Sequence, residues 1–99
     1  MKVMLVWPEN QGWPEVTGGV EPVQWLKQVQ VLVGGYAERV HLTGHTRFII
    51  SEGEPMLRVL EAWVNEDGVP TNLPLNRSAT QFLGHPVWGY AAIIAEVVE

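Results

Sequence analysis

The chain has 99 residues, 46% hydrophobic and 17% charged, with 11 acidic side chains against 6 Lys and Arg and a formal net charge of -5. That length supports one domain around one core, and the composition is that of a folded globule, outside the disordered class. The shortage of cations argues against a partner held mainly through a phosphate backbone, and the absence of cysteine excludes disulfides, thiolate metal sites and cysteine nucleophiles.

Residues 2–7, KVMLVW, read as a buried strand that Pro8 ends, because proline removes a ladder donor and restricts its neighbour. The apolar run before Pro8 is too short for a secretory core or a membrane span, so the chain is expected to be cytoplasmic. Residues 9–19 lose all periodicity among Pro, Gly and polar positions and read as a loop. The triplet Trp-Pro-Glu occurs at 7–9 and again at 13–15, too few copies and too close together for an architectural repeat. Pro22 suits a first helical position; Leu26, Val29 and Val33, with Trp25 and Leu32 beside them, recur at helical spacing. Gln24, Lys27, Gln28 and Val31 then face outward, and Gly34-Gly35 supplies a left-handed stop, giving a main helix over about 22–33.

Residues 36–42 and 47–51 read as two strands joined through Thr43-Gly44-His45-Thr46, which predicts an antiparallel hairpin. The period of residues 56–64 fits strand or helix; strand is favoured because Asn65-Glu66-Asp67-Gly68 is a turn sequence of the kind that reverses strands. Asn76 as N-cap and Gly84 as stop frame a short second helix over about 77–83. Residues 87–95, nearly all apolar, close the chain as a central strand buried on both faces. The expected fold class is α+β: a single small domain over 1–99, mainly antiparallel sheet, with one main helix and one short helix.

Three linked pieces carry a family resemblance: Leu32-Val33-Gly34-Gly35-Tyr36 with Glu38 after it, Val64-Asn65-Glu66-Asp67-Gly68, and Leu73-Pro74-Leu75-Asn76-Arg77 leading to Ala79-Thr80. In order and spacing the stretch from Trp25 to Ile94 resembles the small family called domain of unknown function 3846, while residues 8–20 are longer and richer in proline than that family suggests. The resemblance implies a protein of phages, plasmids or the bacteria that carry them. It implies no activity, and it offers no catalytic residues to carry over.

The polar residues then have to be weighed by their chemistry. Asn65, Glu66 and Asp67 lack the distal bidentate carboxylate and the oxygen count of a calcium loop, so turn chemistry is the expectation and no metal is assigned. The helix start at Asn76, Arg77, Ser78 and Thr80 is the candidate anion site, its N–H groups and side chains able to donate to a phosphate or carboxylate. The competing reading makes Asn76 a cap and pairs Arg77 with Glu38 or Glu66. His41, His45 and His85 lack metal-ligand spacing, no serine or threonine sits in a nucleophile elbow, and Glu52/Glu54 and Glu66/Asp67 read as solvated neighbours. No catalytic residue, metal or cofactor is therefore assigned.

Five tryptophans are more than so small a core hides. Trp25, Trp63 and Trp88 fall in predicted elements and are expected inside; Trp7 and Trp13 flank the proline-rich loop and are the candidate partner-binding residues, with Trp13 folded back as a cap on the core as the alternative. The expected function is a non-enzymatic binding module carried by a phage or mobile element, located in the host cytoplasm. It would bind a host protein, acting in counter-defence, or itself as a homo-oligomer, with neither generic nucleic acid nor membrane as partner. Sequestration of a nucleotide-like anion by an oligomer, and an enzyme of unrecognised type, are the alternatives.

Overall fold

A computed structural model describes residues 1–42, 44–67 and 72–98. In chain order it contains β1 (Lys2–Trp7), β2 (Glu15–Gly19), α1 (Trp25–Val33), β3 (Ala37–Val40), β4 (Phe48–Ile49), β5 (Leu57–Asn65), α2 (Arg77–Leu83) and β6 (Ala91–Val97). The strands form one sheet in the order β2-β1-β6-β5-β3, with β4 also on β5, and every neighbouring pair is antiparallel. This is the expected α+β fold with a mainly antiparallel sheet. Among the described residues no helix is long and apolar enough to cross a membrane.

Period-two alternation assigns the two faces of the sheet. Val3, Leu5 and Trp7 of β1 join Ile93 and Ala95 of β6 on one face, where Ala79 and Leu83 of α2 pack. Met4, Ala92 and Ile94 point the other way and meet Val29 and Val33 of α1. A helix thus sits on each face, and β6, at the centre, is apolar in both directions because both faces are covered. Full burial of a side chain such as Leu83 or Val29 contributes about 1.5–3 kcal/mol. The register shift between Val59 and Glu61 leaves Leu60 as an extra residue, so Val59 and Ala62 both reach the α2 face while Leu60 packs beneath α1.

The helix ends follow the local chemistry. Asn76 caps α2 by accepting from the Ala79 amide at 3.1 Å, and Gly84, at φ 69°, donates its N–H to Thr80 O at 2.9 Å. Gly34 ends α1 at φ 79°, with its N–H on Gln30 O at 3.0 Å. Residues 56–64, whose period fits strand or helix, lie from Leu57 onward in the strand β5, as favoured, and Asn65 closes it by accepting from the Asp67 amide at 2.8 Å. Gly68 of that turn, and Thr43 of the expected hairpin connection, lie outside the described residues.

Four expectations need correction. β3 and β4 do not pair with each other. Both run antiparallel to β5, Ala37–Val40 against Ala62–Asn65 and Phe48–Ile49 against Leu57–Arg58, so the chain leaves one edge of β5 and returns to the same edge. The loop expected over 9–19 contains β2, an edge strand held by β1 and bulged opposite Met4/Leu5, where Thr17 Oγ1 donates to Met4 O at 3.0 Å. The main helix begins at Trp25, after a turn in which the Gln24 amide donates to Glu21 O at 3.0 Å; Leu26 is exposed, and the buried stripe is Val29 and Val33 flanked by half-buried Trp25 and Leu32. Finally, β6 starts at Ala91, because Gly89 takes φ 80° and Trp88 makes only an isolated bridge to Leu75.

Candidate functional site

Asn76 is fully buried and joins three parts of the fold. Besides capping α2, its Nδ2 donates to Trp7 O at 3.0 Å and to Gly89 O at 3.1 Å, and its backbone N–H donates to Val87 O at 2.7 Å. Thr80 Oγ1 accepts from the Val87 amide at 2.9 Å. Arg77 is exposed and makes no ion pair among the described residues, neither with Glu38 nor with Glu66. Of the four candidate anion residues, then, Asn76 and Thr80 are engaged in holding the chain, Arg77 faces solvent and Ser78 lines a surface hollow.

That hollow is where the surplus aromatic surface gathers. About 280 Å³ in volume, it lies between Trp13 and Pro14 on one side, Phe48 and Ile50 on the other, and Ser78, Gln81 and Phe82 of α2 at its end. Trp7 forms its floor: the ring is only 4% exposed, stacks at a tilt on Phe82 with centroids 5.1 Å apart, and donates through Nε1 to Gln11 O at 3.3 Å. Trp7 is therefore a core residue rather than an exposed anchor, because the chain after Pro8 turns back over it and α2 covers it from above. Trp13 is 65% exposed and Ile50 67%. The loop does fold back, as β2, yet it leaves the Trp13 indole standing in solvent.

A second hollow of about 510 Å³ shares Pro14 and Ile49 with the first. Val3, Leu5, Leu57 and Val97 form its floor, and Glu15, Val16, Glu54 and Pro55 its sides. End to end, the two make a trough on the α2 face of the sheet, open where α2 does not reach. Phe48, Ile50 and Val16 are the functional candidates that local reading missed, because they come from two segments some thirty residues apart in sequence; the apolar residues at the edges of short strands were the available signal.

The remaining polar groups offer little chemistry. Arg47 donates from Nε to Phe82 O at 2.9 Å and from a terminal nitrogen to Leu83 O at 3.2 Å, closing the C-terminus of α2. Arg39 pairs with Glu61 at 3.8 Å, and Arg58 with Glu96. Glu96 is held below the ordinary carboxylate value chiefly by the hydrogen bond from Arg58, opposed by desolvation, with lesser help from the charges of Arg58, the N-terminus and Lys2. His85 Nδ1 lies 2.8 Å from Pro86 O, and His41 and His45 are exposed. Among the described residues no three His, Asp or Glu side chains come together as a metal site.

No family model, curated protein or solved structure matches the chain.

Proposed function

We propose that the protein is a non-enzymatic binding module that docks an apolar segment of a partner protein in the trough. The observation that carries this reading is the Trp13 indole, 65% exposed beside a hollow walled by Phe48, Ile50 and Phe82. An exposed tryptophan next to a concave apolar surface supplies large contact area at low entropic cost, the usual composition of an interface hot spot. The setting, a phage or other mobile element acting on a host protein in counter-defence within the host cytoplasm, is drawn from the resemblance to domain of unknown function 3846 and rests on that alone. Self-association through the same trough is the variant in which the partner is a second copy. The competing proposal, a nucleotide-like anion at Arg77 and Ser78, has weaker support, since Asn76 is fully buried and hydrogen-bonded within the fold.

The test is selection from a displayed library of random dodecapeptides. The wild type is expected to enrich apolar sequences, and a Trp13→Ala/Ile50→Ala variant with an unchanged circular dichroism spectrum is expected to enrich none. Equal enrichment by both proteins rejects the trough as the docking surface. Calorimetric titration with nucleotides decides the competing proposal: binding abolished by Arg77→Ala would favour the anion reading.

A further inference from the structure

Resting on that reading, we infer that the trough selects its occupant by charge as well as by shape: it takes a segment in which an apolar anchor is followed by basic residues. The first hollow, between Trp13 and Phe82, has no charged side chain in its lining. The second has two, Glu15 and Glu54, set above an aliphatic floor. Neither carboxylate has an ion-pair partner among the described residues.

No lysine or arginine side chain lines this end. Arg39 and Arg58 lie in register with Trp63 and Glu96, on the α1 face of the sheet, and each holds an acid there. Arg47 lies against the C-terminal carbonyls of α2, and Lys27 projects from α1. The N-terminal ammonium and Lys2 both act on Glu96, and Met1 also lines the second hollow, where its single charge offsets at most one of the two carboxylates. Arg77, the exposed cation on the α2 side, stands at the start of the helix whose next residue, Ser78, lines the first hollow. The trough is therefore polarised along its length, neutral and aromatic at the α2 end and acidic at the other. Carboxylates on the rim of an apolar surface attract cationic side chains and disfavour acidic ones, mainly through the association rate and at low salt. Lysine and arginine suit such a site doubly, because their methylene stems cover aliphatic surface while the charged head reaches the rim.

The experiment uses the peptides enriched by the full-length wild type. Those sequences are expected to carry Lys or Arg on one side of the apolar anchor. Replacing these basic residues with Glu is expected to weaken binding roughly tenfold or more at low salt, and the gap should narrow as ionic strength rises. A Glu15→Lys/Glu54→Lys protein is expected to reverse the preference and bind the acidic version more tightly. If basic and acidic versions bind wild type equally, charge selection is wrong while docking in the trough stands. If no peptide is enriched at all, both the docking reading and this inference fall.

Discussion

The side-chain amide of Asn76 donates to the carbonyl of Trp7 at 3.0 Å, across 69 positions of sequence. That bond, with its companion to Gly89, fixes the start of α2 over the end of β1 and so sets the closed end of the trough. Removing one partner from a buried hydrogen bond leaves the other unsatisfied, at about 1–3 kcal/mol per group. Asn76→Ala, which also removes the cap, is expected to destabilise the fold by about 2–5 kcal/mol in urea titration. Asn76→Asp is the sharper variant: aspartate caps as well as asparagine but brings acceptors towards two carbonyl oxygens. A loss above about 2 kcal/mol is expected; near-neutral Asp would show that capping is the whole role of Asn76.

Arg47 ties the segment between β3 and β4 to the far end of α2 through Phe82 O and Leu83 O. Arg47→Ala is expected to cost about 1–2 kcal/mol, which for a domain of this size lowers the thermal midpoint by roughly 4–15 °C. Differential scanning calorimetry measures it. Because Phe82 also walls the first hollow, peptide binding should weaken as well.

Gly89 and Gly34 both have positive φ, at 80° and 79°, but differ in surroundings. A Cβ on Gly89 would lie 2.9 Å from Leu73 Cδ1, whereas one on Gly34 would meet nothing within 4 Å. Gly34→Ala is expected to cost about 1 kcal/mol for the backbone alone, and Gly89→Ala about 1–3 kcal/mol more for the clash. Paired denaturation curves give the difference, and equal costs would show that Leu73 moves aside freely.

The lowered Glu96 carboxyl pKa makes its pairing with Arg58 dependent on pH. A depressed folded-state value means that the pair's contribution is present above the unfolded pKa and disappears as pH falls through the folded one. Titration followed by side-chain carboxyl NMR is expected to show Glu96 moving up towards the ordinary value in Arg58→Ala. The stability difference between the two proteins should fade on acidification and with added salt.

The parts of this fold legible in sequence were those with local causes. Asn76 and Gly84 mark the ends of α2 because capping is decided within a few residues, and Gly34 stops α1 for the same reason. The run from Ala91 to Ala95 reads as central because it is apolar in every position. What local reading missed depends on distant partners. Glu15–Gly19 has two glycines and no alternation, and it is a strand because β1 offers an edge. Phe48–Ile49 looked like the return arm of a hairpin, yet β5 is long enough to pair with it and with β3 end to end. Trp7 looked exposed beside its proline until α2, anchored by Asn76, closed over it. Of the trough's lining, Trp7, Trp13 and Ser78 stood out beforehand, and of these Trp13 alone is an exposed aromatic wall.

The most direct measurement of the central claim uses the protein's own five indoles, whose N–H signals report on different faces of the sheet in one NMR spectrum. Trp13 stands over the trough on the α2 side, while Trp25 and Trp63 stack together on the α1 side with centroids 5.3 Å apart. On titration with a peptide enriched by the wild type, the Trp13 indole is expected to shift progressively to saturation while Trp25 and Trp63 stay in place. Saturating shifts at Trp25 and Trp63 with Trp13 unmoved would contradict the account.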